Sequence, residues 1–407
     1  MSEVACMTEG SPVRRLNETT ERERDDHSGP DWRRTSVPSL LLASAAFAIT
    51  VSFVANGVNA QIQNVQILFA SDFGPDNAVY RVRENGSKMT MAFTLGQPHG
   101  VAATDEYNVY VAEVNGDIIR HVTQDAGTST LYSFDSELDN PEGLTVGPDG
   151  ALYVSGTIDA PVAGETKHVY RIDPTTGQGA VYASVGLLEC LDLDFDAAGN
   201  MYVADLATSV NGIIWKVTPA GQVSELVAGL GPVTGLAIAP DGETVYASVS
   251  WEDSIWRVDA DGQALPFATM EGPWAMAFGA AGDLYVGSED GKIIKFAPDG
   301  TPSVFATGFT GGIRGIAIQI VPRLTGDANR DGSVDDNDLS LLLANWTGVG
   351  GKGKDWGQGD FDGNGAVTDS DLSLLLANWT ATVPVPEPTT LSLLAIGAMM
   401  LRHKPRP

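Results

Sequence analysis

Two twelve-residue segments carry the densest metal-ligating chemistry in the chain. In Asp327 to Asp338, oxygen-bearing side chains stand at positions 1, 3, 5, 9 and 12 (Asp327, Asn329, Asp331, Asp335 and Asp338), with Gly332 at position 6. A copy follows 33 residues later, with Asp360, Asp362, Asn364, Thr368 and Asp371 in the same places and Gly365 at the sixth. Calcium is a hard cation that takes about six to eight oxygens, and the glycine permits the sharp turn that brings them together. The backbone carbonyls of Ser333 and Ala366, at position 7, complete each cage. Two calcium ions are therefore expected. Four carboxylates in loop one against three in loop two rank the first as the tighter site by ligand charge.

Each loop runs into the same nine residues, Asp338 to Trp346 and Asp371 to Trp379. Leu339, Leu342, Leu343 and Trp346 fall at helical spacing, which predicts one apolar stripe per copy and two stripes packed together. A module this small has little core, so calcium should hold it folded. Paired EF-hand-type loops with Asp at position 12, each leading into a helix, resemble a type I dockerin over residues 324–381. That resemblance implies a cohesin-like domain or another extracellular protein as partner. It makes Asp336, Asn337, Asp369 and Ser370 the partner-binding positions, and it implies a place in polysaccharide processing. A calcium-stabilised domain with no cohesin partner is the alternative.

A second candidate site depends on a repeat. Related units start at Gly100, Gly143, Cys190, Gly235, Ala275 and Gly315, with spacings of 43, 47, 45, 40 and 40 residues. Period-two apolar alternation (Leu236, Ile238, Val245) interrupted by turns such as Pro240-Asp241-Gly242 makes each unit a four-stranded blade. The last unit supplies only a first strand, and Ile67 to Phe93 supplies three strands lacking one, so joining them closes a ring of six. The fold class expected is an all-β six-bladed β-propeller with a small C-terminal α-helical calcium-binding domain. Residues 62–320 resemble the NHL-repeat, streptogramin-lyase and SMP-30-like gluconolactonase superfamily, which implies the fold and leaves the chemistry open.

Residues just before each first strand gather at one mouth of such a ring: His99, Glu142, Glu189, Thr234, Trp274 and Arg314. A histidine, two carboxylates and an arginine there are the ingredients of metal or acid–base chemistry. Read as catalytic, Glu142 and Glu189 hold a further divalent metal, His99 is the base and Arg314 stabilises an anion. Read as structural, Arg314 pairs with Glu142 or Glu189 and closes the channel. Pro98-His99-Gly100 and Pro141-Glu142-Gly143 are similar to propeller-lyase motifs, but Thr234 stands where the lactonase pattern carries a ligand asparagine. A second ring, Asp72, Glu113, Asp205 and Glu289, offers further ligands or solvated turn acids.

The remaining signals concern charge and address. With 24 basic and 52 acidic residues the net charge is −28, which disfavours nucleic acid and suits divalent cations. Two cysteines, Cys6 and Cys190, cannot make a disulfide framework, and Cys190 reads as a small core residue. Arg33-Arg34, the apolar run Leu40 to Val54 and the small residues near Ala60 form a secretory-signal pattern, with an uncleaved anchor as alternative. Val385-Pro386-Glu387-Pro388, the apolar run Leu391 to Leu401 and the basic Arg402 to Arg406 resemble a PEP-CTERM sorting signal. That implies an exosortase-type processing enzyme and delivery to the cell surface, outer envelope or extracellular matrix.

The expected organisation is leader and signal peptide over 1–60, propeller over 61–322, calcium module over 323–382 and sorting tail over 383–407. The function expected first is non-catalytic: a secreted protein whose propeller binds a carbohydrate or protein while the calcium module docks it. The rivals are a propeller lactonase or lyase delivered to a polysaccharide-degrading complex, and a purely architectural role in the matrix.

Overall fold

A computed structural model describes residues 61–123, 127–134, 138–157, 167–185, 189–206 and 211–379, with the backbone of two short strands, Val54–Ala55 and Val58–Asn59. Apart from those two strands, the expected leader lies outside the described residues, as does the whole sorting tail. Among the described residues no helix is long and apolar enough to cross a membrane.

Six four-stranded antiparallel sheets follow one another along the chain. Their innermost strands are Pro98–Ala103, Asp139–Val146, Cys190–Phe195, Val233–Ile238, Pro273–Phe278 and Gly312–Leu324, which open blades one to six. The sixth blade joins the two ends of the ring: Gly312–Leu324 pairs along its length with Ile62–Phe73, from Gly312 opposite Phe73 to Leu324 opposite Ile62. Ala78–Val82 and Lys88–Ala92 complete it. The closure expected from the sequence is present, with the innermost strand beginning at Gly312, ahead of the expected unit start at Gly315, and running to Leu324.

The strand chemistry follows from position in the blade. Second strands such as Met201–Asp205 and Leu284–Ser288 are buried at every residue because neighbouring blades cover both faces. Outer strands such as Val223–Ala228 are largely exposed. Each junction between blades holds its own apolar cluster. Phe69, Val79 and Met91 of blade six meet Val101, Val111 and Val122 of blade one, and Tyr202 and Ile214 of blade three meet Leu236 and Val258 of blade four. At about 1.5–3 kcal/mol for each large aliphatic side chain buried, these junctions dominate stability. Cys190 belongs to one of them, as expected. Aspartate–glycine turns close the hairpins, and Gly242, at φ 75°, donates its N–H to the Ala239 carbonyl at 2.9 Å.

Glycine has a further use at the centre. A Cβ at Gly235 would collide with the Trp274 carbonyl oxygen, and one at Gly100 with that of Glu142. Innermost strands of successive blades thus touch backbone to backbone, and second-strand hydroxyls exploit the gap. Ser71 donates to the His99 carbonyl, and Ser248 to the Trp274 carbonyl at 2.6 Å.

After Leu324 the chain forms the two loop–helix units, with α1 at Asp336–Ala344 and α2 at Asp369–Ala377. Leu342 and Leu375 are fully buried in one shared core with Val334, Trp356, Phe361 and Val367. The two helices do pack through equivalent leucines, but the buried face is not the expected stripe. Leu343 and its counterpart Leu376 are each 54% exposed and Trp346 is 40% exposed, while Leu341 and Leu374 turn toward the core. Both helix starts are capping boxes: Asp335 with Asp338, and Thr368 with Asp371.

Candidate functional sites: two acidic loops and a propeller mouth

In the second loop the carboxylate oxygens of Asp360, Asp362 and Asp371 all lie within 4.8 Å of one another. The loop's own backbone holds them there. Asp360 Oδ2 accepts from Gly365 N at 2.7 Å, Asp362 Oδ1 from Asn364 N at 3.2 Å, and Asp371 Oδ1 from Phe361 N at 2.8 Å. Asp371 Oδ2 accepts from Thr368 N at 2.9 Å, so the short position-12 aspartate ties the loop to the helix start. Asp360 Oδ1 is buried without a hydrogen-bond partner, and burial raises this carboxyl to about 7. A buried carboxylate oxygen without a donor, beside two further carboxylates, fits a cation.

The first loop repeats the scaffold with looser ligands. Asp327 Oδ2 accepts from Gly332 N at 2.9 Å, and Asp338 takes Asn329 N at 3.0 Å and Asp335 N at 2.9 Å. Burial raises Asp327 as well. Here, however, Asn329 Nδ2 donates to Asp331 Oδ2 at 2.8 Å, and Arg330 carries a cation at position four. Ligand charge favours loop one, whereas convergence of the carboxylates favours loop two. Of the twelve expected loop residues, Asp360, Asp362 and Asp371 are brought together, and Asp336, Asn337, Asp369 and Ser370 are exposed at the helix starts.

At the propeller mouth three of the four expected residues come together. His99 Nδ1 stands 3.7 Å from Glu142 Oε2, and the ring of Phe73 packs edge-on against His99 at 5.1 Å. The Arg314 guanidinium carbon lies 3.4 Å from the Trp274 ring centroid and 5.4 Å from that of Phe73. Its Nη1 is 3.7 Å from Glu289 Oε1, so its ion-pair partner is Glu289. Burial lowers the Arg314 pKa, while the charges of Glu289 and Glu142 oppose that shift.

Glu189 does not belong to this ring. Cys190 pairs with Asp205 and Asp192 with Ala204, just as Val233 pairs with Val249 and Gly235 with Ser248. Asp192 is therefore the counterpart of Gly235, and Leu191 rather than Glu189 matches His99 and Glu142. Glu189 precedes the strand and is exposed, with its N–H directed to Asp205 Oδ1 at 3.3 Å. Thr234 turns inward to Ser248 Oγ, 3.1 Å away. Strand register does not give Glu189 the position expected for it in the two-glutamate metal site. Among the described residues, the group of three that could hold a metal is the one in the second acidic loop.

Three members of the second ring, Asp72, Glu113 and Asp205, are buried scaffolding, whereas the Glu289 side chain is 48% exposed. Asp72 accepts from Thr310 N and Gly311 N, both at 2.7 Å, and Glu113 from Gly96 N at 2.8 Å and Arg120 Nε at 2.6 Å. Asp205 takes the indole N–H of Trp215 at 3.0 Å. Asp72, Glu113 and Asp205 tie down the segments that enter three of the six innermost strands. The sequence reading also missed Asp192 and Asp194, whose Oδ2 atoms accept Leu236 N at 2.8 Å and Ile238 N at 2.9 Å across the blade junction. Burial raises Asp192 to about 7 and Asp194 to about 6. Two acids in alternation on a strand of otherwise apolar repeats were the available signal.

This geometry defines a six-bladed β-propeller. Residues 157–304 match the SMP-30/Gluconolactonase/LRE-like region. A gluconolactonase of Zymomonas mobilis is 26% identical across 45% of this chain, which spans 61% of that enzyme's length. Among solved structures, a nidogen/laminin complex aligns with a TM-score of 0.53 at 15% identity, covering 62% of this chain and 98% of the other, which is a likeness of fold. A Xanthomonas campestris gluconolactonase aligns with a TM-score of 0.46 at 17% identity, over 62% of this chain and 90% of its own.

Proposed function

We propose that this chain is a secreted binding and assembly protein, in which a calcium-loaded, dockerin-like module docks to a cohesin-like partner and the propeller presents a binding face at the cell surface or in the matrix. The observation that carries it is the buried, unpartnered Asp360 Oδ1 beside Asp362 and Asp371. In this reading Asp360, Asp362, Asn364, Thr368, Asp371 and the Ala366 carbonyl hold one calcium ion, and Asp327, Asn329, Asp331, Ser333, Asp335 and Asp338 hold another. Bound calcium would neutralise each acidic loop and fasten it to its helix. The paired exposure of Leu343 and Leu376, next to the exposed Asp336, Asn337, Asp369 and Ser370, supports a duplicated docking face. An acidic surface of net charge −28 suits an environment rich in divalent cations. Carbohydrate is the ligand class this reading gives the propeller, and an exosortase-type enzyme would process the tail.

The match of residues 157–304 favours a second reading, lactone hydrolysis or elimination at the propeller mouth. There Glu142 would orient His99 as proton acceptor and Arg314 would stabilise developing negative charge. Equilibrium calcium titration of the protein carrying Asp327→Ala and Asp360→Ala separates the readings. Loss of all stoichiometric calcium, with no lactone turnover altered by His99→Ala or Glu142→Gln, is the result expected of a binding protein. A remaining ion that is lost on changing Glu142, or turnover that falls in His99→Ala, would move the assignment to the enzyme.

A further inference from the structure

Three guanidinium groups from distant parts of the chain converge on one carboxylate oxygen where the module meets the propeller. Glu106 Oε2 accepts from Arg81 Nη2 at 3.3 Å, from Arg330 Nη1 at 3.2 Å and, more closely, from Arg323 Nη2. Three positive charges against one negative charge leave a local surplus of two. Burial lowers the pKa of Arg81 and of Arg323, and the charge of Arg330 pushes both in the same direction. Arg323 is only 5% exposed in its side chain, and its Nε is buried without a hydrogen-bond partner. Such an arrangement is costly unless a further anion completes it.

Beside these arginines lies a cavity of about 60 Å³, lined by Arg81, Arg83, Arg323, Arg330 and Lys354 among others. Five of the chain's 24 basic residues thus face one cleft of a strongly acidic protein. Two of the three acids along the same walls are already engaged, and the third, Asp360, keeps its Oδ1 unpartnered. Asp355 pairs with Arg83 at 3.4 Å, Glu84 Oε1 accepts Gln66 N at 3.0 Å, and Asp360 turns its Oδ2 to Gly365. A liquid water occupies about 30 Å³, so the cavity has room for a small polyatomic anion.

We propose that this cleft is an oxyanion-binding site that takes a carboxylate or sulfate group, either free or carried by an acidic sugar, through Arg81, Arg323 and Arg330. Planar guanidinium forks match such oxygens, and low solvent exposure strengthens each charge-assisted bond. Because Arg330 is the fourth residue of the first calcium loop, the anion would bind both parts of the molecule at once. The site is separate from the propeller mouth and stands whether or not the mouth is catalytic.

The test is calorimetric titration of the full chain, in saturating calcium chloride at fixed ionic strength, with sodium sulfate and with sodium glucuronate. One-to-one saturable binding is expected for at least one of them. Arg330→Gln should weaken it about tenfold, the effect of losing one charge-assisted contact. Glu106→Gln should tighten it severalfold, because it removes the competing anion, and a purely structural cluster would not respond in that direction. Sulfate binding at least as well as glucuronate marks a free inorganic ion as the ligand, and preference for glucuronate marks an acidic sugar. No saturable heat with either anion, or affinities unchanged in both variants, overturns the proposal.

Discussion

Arg314 lies over the indole of Trp274 with its guanidinium carbon 3.4 Å from the ring centroid, while its Nε and Nη1 are buried without hydrogen-bond partners. The aromatic contact and Glu289 at 3.7 Å are what this cation has in exchange for its hydration. Replacing it by methionine removes the attraction and the desolvation cost together, so Arg314→Met should change stability by less than about 1 kcal/mol. Denaturant midpoints compared at constant slope would measure this. A loss several times larger would mean that the guanidinium locks the channel mouth.

Raised carboxyls give the propeller a defined pH response. Asp192 at about 7 and Asp194 at about 6 hold their protons more tightly in the folded chain than at the ordinary value of 3.8. Unfolding between these limits releases protons, so the stability they contribute is full below about pH 4 and is lost as pH rises through about 6 and about 7. The unfolding midpoint should therefore fall between about pH 5 and pH 8, and Asp192→Asn with Asp194→Asn should flatten that slope. Identical slopes in parent and double variant would refute the assignment.

Gly235 should tolerate no side chain. Its added Cβ would meet the Trp274 carbonyl and, at 2.9 Å, Ser248 Oγ, so two innermost strands would have to separate. Gly235→Ala is expected to cost about 3 kcal/mol in chemical denaturation. Gly282→Ala serves as a contrast, because nothing lies within 4 Å of its Cβ and only its φ of 82° would be strained.

Ligand convergence, rather than charge count, should order the two calcium loops. Because Asp360, Asp362 and Asp371 already lie together, loop two should fill first, and Asp360→Asn should remove the tighter step of a calcium titration. Asp327→Asn should remove the weaker one. Chelation should also abolish the helical circular dichroism of Asp336–Ala344 and Asp369–Ala377 while leaving the strand signal in place.

Repeat period, hairpin turns and oxygen spacing were legible because each is written in consecutive residues. Blade three was read two residues out of register, since Asp192 replaces the glycine that marks the same position in four of the other blades. The run Leu341-Leu342-Leu343 offers several apolar stripes, and only the position of the second helix decides that Leu342 goes inside and Leu343 stays out. Arg81, Glu106, Arg323 and Arg330 were invisible as a group because tertiary folding alone brings them together.

Pairing of Ile62–Phe73 with Gly312–Leu324 also sets an order of events during synthesis. The first long strand to leave the ribosome has to wait, one edge open, until roughly two hundred and forty further residues have been made. An open strand edge invites wrong partners, and five nearly interchangeable innermost strands are made before the right one. The two loop–helix units emerge immediately after that strand, and Asn378 Oδ1 then takes the N–H of Gln61 at 2.9 Å, at the start of the waiting strand. An ion bound as proposed in the two loops would in that way favour the correct closure over its competitors, acting on folding as well as on docking.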